Sequence, residues 1–363
     1  MSGIETEIEA LWQASEQVAD CLVVGVSGGA DSLALVFLLQ EWAEKNQKKV
    51  VALTVDHGLR PSSAEEARYV SGLMKVAGIE HHVLVWSGDK PTKGIEAAAR
   101  EARYRLIERW WQERLPGKEV YPLWVAHHLR DQAETVLMRL QRGSGADGLG
   151  GMAPISKVGC LQLLRPLLKT DPRWLRRYLQ ERNIAWAEDE SNACDDYLRV
   201  RVRKLLPVLE EKMGLSMRRL GETAELLRRT RAYLDEQTEA FLAQNSRCFG
   251  NAGLEVDFAA WQQEHEEMQL RVLREALKRV AGQVYRPERL ETERLRKSLL
   301  EDAGGRTLAG CEIFKFQKKL WLVRESRNVP KLSKAAWKAY VEAHPQYCRL
   351  QLPYKLRRVL VLE

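Results

Sequence analysis

Residues 21–42 read CLVVGVSGGADSLALVFLLQEW. An apolar run ends in SGGADS, and apolar residues at helical spacing begin at once. The run is short and continuous, the pattern of a strand buried on both faces. A turn from a buried strand into a helix has no ordinary need of two serines, two glycines and an aspartate. Such a junction is, however, a ready anion site. The N–H groups of the turn point outward, and the helix dipole adds roughly half a positive charge. Gly28 and Gly29 leave room for phosphate oxygens to approach the backbone, and Ser27 and Ser32 offer hydroxyls. Asp31 would repel phosphate unless a cation lay between them, which is the reason to expect Mg2+. The stretch holds neither the GKS/T of the common triphosphate loop nor the GxGxxG of dinucleotide folds.

Working outward, strand-like runs at CLVVGV (21–26), VVALTVDH (50–57), HHVLVW (81–86) and YPLWVAHH (121–128) alternate with helical stretches. The helices read LALVFLLQEWAEK, SSAEEARYVSGLMKVAG, IEAAAREARYRLIERWWQERL and LRDQAETVLMRLQRG. Continuous apolar strands separated by amphipathic helices predict βαβ units. The fold class is therefore α/β, with a doubly wound parallel sheet covered on both faces. RGSGADGLGGMAP (142–154) reads as a loop long enough to serve function. LQLLRPLLK reads as a strand, and TDPRWLRRYLQERN as a helix capped by Asp171 with Pro172 at its first position. Residues 204–244 read as polar and largely helical, and TLAGCEIFKFQKKLWLVRE (307–325) as a hairpin turning at QKK.

The chain of 363 residues has 57 Lys and Arg against 50 Asp and Glu, a net charge of +7. The excess is uneven, with a net of −3 over residues 1–200 and +10 over 201–363. That asymmetry points to a polyanion at the C-terminal half, although any single basic cluster is more simply a solvated helix face. Six scattered cysteines without a CxxC pair argue for reduced thiols and against a zinc or iron–sulfur site. No apolar run approaches the roughly 20 residues that span a bilayer. The acidic, amphipathic N-terminus lacks a basic n-region, so a cytoplasmic location is expected.

SGGxDS at a strand–helix junction resembles the PP-loop of the ATP pyrophosphatase superfamily, whose members release pyrophosphate and leave an adenylated intermediate. VDHGLRPSS (55–63), IEAAAREARY (95–104), AHHLRDQAETVLMRL (126–140), RGSGADGLGGM (142–152), RPLL (165–168) and EDESNACDDYLRVRVRKLLP (188–207) follow in order. This succession resembles the tRNA(Ile)-lysidine synthetase family over roughly residues 20–207, and only loosely beyond, through the hairpin at TLAGCEIF. The resemblance implies ligation of L-lysine to C2 of the wobble cytidine of tRNA(Ile) bearing a CAU anticodon, with ATP and Mg2+. An adenylated cytidine would be the intermediate. The lysidine formed would switch codon reading from AUG to AUA and identity from methionine to isoleucine.

By the same resemblance, Ser27, Gly28, Gly29, Ala30, Asp31 and Ser32 bind the ATP phosphates, and Val55, Asp56 and His57 hold the adenosine. Asp31 and Asp131 contact metal, and His127 and Asp131 lie around the reacting cytosine. An arginine, Arg100 or Arg103, would stabilise charge at the α-phosphate. The lysine amine would lose its proton to a carboxylate or to His127. Asp131, Glu134 (one helical turn on) and Asp189 are the carboxylates open to its α-ammonium. Arg199 and Arg203 meet the tRNA or the nucleotide, or instead pair with Asp195 or Asp196. The family usually reads RNxxR here, and Val200 stands in place of the asparagine. His127–His128 also reads as a packing pair at a strand end.

The expected division is a PP-loop catalytic domain (1–207), a helical connector (208–244) and a smaller basic α+β domain that binds tRNA (245–363). A homodimer is left open. Two rivals stand beside this reading. A tRNA thiolase of the same superfamily would need a cysteine pair, and a catalytically dead nucleotide or RNA binder would not need Asp31, His127 and Asp131 together.

Overall fold

Side chains of β1 (Cys21–Gly25) alternate between two cores, Leu22 and Val24 entering one and Val23 the other. Its neighbour β2 (Lys49–Asp56) does the same, with Val50 and Ala52 on one face and Val51 and Leu53 on the opposite one. A strand buried on both faces must be apolar throughout, which is why these runs lack the polar alternation of a surface strand.

The computed structural model describes residues 2–16, 18–59, 63–91, 93–187, 198–282, 287–301, 305–325, 332–348 and 350–361. Two compact units form, 1–230 and 231–363, and the division falls inside one long helix. In chain order the first unit adds α1 (Ser2–Ala14) before β1, then α2 (Ala30–Lys45), α3 (Ser63–Val76) after β2, β3 (Glu80–Val85), α4 (Ile95–Arg114) and β4 (Tyr121–Trp124). It continues with α5 (Leu129–Gln141), α6 (Ala146–Leu149), β5 (Ile155–Val158), β6 (Leu161–Leu164), α7 (Pro172–Gln180), α8 (Leu198–Met213) and α9 (Met217–Asn245).

The six strands lie in the order β3-β2-β1-β4-β6-β5, parallel except for β5, which runs antiparallel to β6. Residues of α1, α2, α3 and α7 cover one face, and Tyr104, Ile107, Trp110 and Trp111 of α4 fill the other. The parallel α/β expectation holds. The edge strand β5 was not foreseen, because its four residues acquire strand character only by pairing with β6. Strand order reverses between β1 and β4. In open α/β sheets ligands bind at such a switch point, outside the C-terminal ends of the strands. The SGGADS turn leaves β1 there, and the two adjacent histidines leave β4 there.

The Gly-rich segment 142–154 is no open loop, since α6 forms within it. The Gln132 amide donates to Met152 O at 2.9 Å and accepts from Met152 N at 2.7 Å. Arg139 Nη1 donates to Gly148 O and Gly151 O, and Arg228 Nη1 to Gly150 O and Met152 O. The cap expected on α7 is present, with the Asp171 carboxylate accepting from Arg173 N at 2.8 Å.

The second unit continues after α9 with β7 (Ser246–Phe249), β8 (Gly253–Asp257), α10 (Phe258–Gln263), α11 (Glu266–Ala281), α12 (Arg289–Leu300), β9 (Arg306–Leu308), β10 (Cys311–Phe316), β11 (Lys319–Arg324), α13 (Lys334–Ala343) and α14 (Tyr354–Leu360). Its antiparallel sheet runs β7-β8-β11-β10-β9, with α11 and α12 packed on one core. The expected hairpin is β10–β11. Gln317 and Lys318 at its turn both take positive φ, the geometry of a two-residue connection. Among the described residues no helix is long and apolar enough to cross a membrane.

Candidate active site

Gly28 has φ +85°, so the turn after β1 passes through a conformation that side chains resist. Gly29 then caps α2 with no side-chain hydrogen bond, which leaves the first-turn N–H groups open to a ligand. Ser32 ties the turn together: its Oγ accepts from Ser27 N at 3.1 Å and donates to Gly29 O at 3.0 Å. Below the turn, Thr54 Oγ1 donates to Val26 O at 2.9 Å, and His81 Nε2 lies 2.9 Å from the same Thr54 oxygen.

A cleft of about 360 Å3 opens beside this turn. Ser27, Gly29 and Ser32 line it together with Val55, Asp56, His57, Arg103, Tyr104, His127 and Ala187. The three residues expected to hold adenosine therefore share one cavity with the phosphate loop. Of the two candidate arginines, Arg103 lines the cleft. Arg100 is exposed, does not line it, and lies over the Tyr104 ring at 5.1 Å. Both ring nitrogens of His57 are buried without a hydrogen-bond partner among the described residues. Burial, with repulsion from Arg103 added, pulls its pKa down to about 4.

On the far side of the turn, α5 begins with a reciprocal cap. His128 Nδ1 accepts from Asp131 N at 3.4 Å, and Asp131 Oδ2 accepts from His128 N at 3.0 Å. The other nitrogen, Nε2, therefore carries the proton and reaches Asp31 Oδ2 at 3.2 Å. One buried imidazole thus joins the anion loop to α5. The repeated histidine was the only sequence sign of this bridge.

Asp131 Oδ2 also faces His128 Nδ1 at 3.3 Å, so the Oδ2 atoms of Asp31 and Asp131 sit against opposite ring nitrogens. Asp131 Oδ1 lies 3.5 Å from Arg199 Nη2, whereas Asp31 Oδ1 is buried with no partner among the described residues. That orphaned carboxylate oxygen, at the first turn after the anion loop, fits Mg2+, which commonly takes one or two carboxylates and completes its shell with phosphates and water. No group of three or more metal-ligating side chains assembles among the described residues. Burial pushes the Asp131 carboxyl up, but the His128 backbone N–H and Arg199 help to hold it low.

Glu134 is fully buried, and its two oxygens accept from Arg199 Nε at 2.7 Å and Arg203 Nε at 2.8 Å. The two arginines are four apart on α8 and share a face, while Val200 and Val202 are buried between them. Their partner is thus a glutamate sixty-odd residues earlier; Asp195, Asp196 and the candidate Asp189 lie outside the described residues. Sequence reasoning also gave no role to Arg165, which follows the buried strand residues Leu161–Leu164 and is 6% exposed. Its Nε donates to His127 Nδ1 at 3.3 Å. A cation placed directly after a fully buried strand was the signal.

Residues 2–209 match the family model described as a PP-loop domain. The chain is 40% identical over 327 residues to the tRNA(Ile)-lysidine synthase of Rhodopseudomonas palustris, covering 86% of this chain and 91% of that protein. It is 40% identical over 269 residues to the enzyme of the same name from Bradyrhizobium sp. strain BTAi1, covering 71% and 74%. Among solved structures, the U34-tRNA thiolase NcsA of Methanococcus maripaludis with its [4Fe-4S] cluster superposes with a TM-score of 0.50 at 18% identity, covering 62% of this chain and 78% of that one. At that identity the likeness concerns the fold alone. None of the described cysteines lines the cleft here. With a PP-loop model matched over more than half its length, and relatives aligned over most of theirs, this chain belongs to the tRNA(Ile)-lysidine synthase family.

Proposed function

We propose that this ATP-using enzyme adenylates the wobble cytidine of a CAU-anticodon tRNA(Ile) and then joins lysine to its C2, releasing pyrophosphate and AMP. The observation that carries the reading is the meeting, at the β1/β4 switch point, of the anion turn with His127, His128 and Asp131. Adenosine lies along Val55, Asp56 and His57, and the phosphates reach the open N–H groups of α2. Cytosine O2 attacks the α-phosphate, and Arg103 with the turn N–H groups stabilises the charge that develops. Mg2+ held by Asp31 Oδ1 and phosphate oxygens would neutralise the departing pyrophosphate.

The second half-reaction belongs to the α5–α8 side. Asp131 draws the lysine α-ammonium, and Arg199 and Arg203, held in place by the buried Glu134, draw its carboxylate. The basic part from about residue 245 docks the tRNA body, in keeping with the net +10 over residues 201–363. Such an enzyme works in the cytoplasm, where its tRNA is found.

The deciding experiment is incorporation of labelled lysine into bulk bacterial tRNA with ATP and Mg2+, followed by mild alkali. Alkali-stable label on a cytidine is expected. Alkali-labile label would mean an aminoacyl ester and a different enzyme. Asp31→Ala should remain folded yet lose turnover by about 100-fold or more, and full turnover in that variant would remove the metal from the reading.

A further inference from the structure

Arg165 stands at the C-terminal edge of the parallel sheet, directly after β6, where the catalytic loops also gather. It is nearly buried, and it has no carboxylate partner among the described residues. Nη1 donates to Ala153 O at 2.8 Å and to Ser156 Oγ at 2.9 Å. Those two anchors fix the plane of the guanidinium, and Nε then points at His127 Nδ1, 3.3 Å away.

A guanidinium only donates, so Nδ1 must offer a lone pair. A proton on Nδ1 would set two N–H groups head to head beside a cation. Arg165 stays charged in this setting, since burial lowers its pKa only to about 10. Burial also pulls His127 down to about 4; Asp131 opposes this, while Arg165, Arg100 and Arg199 add repulsion. The imidazole is therefore neutral, with its one proton on Nε2. That nitrogen makes no hydrogen bond to the described residues, and the ring lines the cleft beside Ser27 and Ser32.

We propose that Arg165 is a positioning residue that holds His127 as the neutral Nε2–H tautomer, so that His127 donates a hydrogen bond to an α-phosphate oxygen and accepts no proton. The role rests on the adenylation reading above; the tautomer does not. The lysine ε-ammonium must then shed its proton to a carboxylate or to water. A preorganised neutral donor of this kind stabilises charge as it develops, which is what adenylation demands.

The test is the nitrogen spectrum of the full chain with 15N-labelled histidine, the His127 signals being assigned by their loss in His127→Gln. Near neutral pH the wild type should show Nδ1 unprotonated and Nε2 protonated. Arg165→Met should shift His127 toward a tautomeric mixture, with Arg165→Lys restoring it in part. A protonated Nδ1 in the wild type, or an unchanged spectrum in folded Arg165→Met, would overturn the proposal. Kinetics give an independent reading. Arg165→Met should lower kcat about 10–100-fold with little change in the KM for ATP, whereas a purely structural role moves both with stability. Failure of the wild type to make lysidine, with the expected spectrum intact, would refute the proposed reaction and leave the tautomer assignment standing.

Discussion

At the scale of the residue, the two loop glycines are there for different reasons. Gly28 sits at φ +85°, and a Cβ there would come within 3.2 Å of Val70 Cγ2. Gly29 has an ordinary φ of −74°, and its Cβ would meet only Ser27 Oγ, at 3.6 Å. Gly28→Ala should therefore cost about 1–2 kcal/mol of stability and weaken ATP binding as the turn reorients. Gly29→Ala should melt as the wild type does and lose affinity alone, because its methyl enters the phosphate site. Thermal melts paired with ATP titrations separate the two; identical behaviour of both variants would mean the turn is not shaped by backbone conformation. The repeat of glycine is visible in the sequence, but only the fold distinguishes one that bends the chain from one that clears a space.

At the scale of the element, α5 and α8 are bolted together by Glu134, Arg199 and Arg203. Ala133 and Val136 of α5 pack on Leu206 of α8 beneath that ion triad. Removing one partner of a buried pair leaves the other charge uncompensated. Glu134→Ala should cost about 1–3 kcal/mol, discounted because Arg199 and Arg203 are 44% and 29% exposed. Urea unfolding measures that loss, and an unchanged midpoint would mean the triad serves lysine binding without holding the helices. Both helices could be read from their periodicity. Their pairing could not, since Glu134 meets residues more than sixty positions away.

At the scale of the molecule, two neutral histidines near the cleft make folding depend on pH. The pKa values of His57 and His127 are lowered from 6.5 to about 4, so the unfolded chain binds protons that the folded one refuses. Their contribution is complete above about pH 6.5 and is lost as the pH falls toward about 4. The loss should reach about 3 kcal/mol from His127 alone, with a smaller part from the partly exposed His57, which solvent screens. Urea midpoints at the two ends of that window should show it, and His127→Gln should show less. A midpoint flat across the window would contradict the desolvation of both rings.

The sequence by itself determined the strand–turn–helix with its anion loop, the parallel α/β class and the succession of motifs that marks the family. These are local: apolar period, turn chemistry and a few neighbouring residue types fix them without reference to the rest of the chain. What only the tertiary structure decided is pairwise and distant. It is the sheet order that puts the β1 turn beside the end of β4, the imidazole of His128 between Asp31 and Asp131, and Arg165 against His127. A hydrogen bond across dozens of residues leaves no period in the sequence, because its partners are chosen by the geometry of the packed sheet and not by their neighbours in the chain.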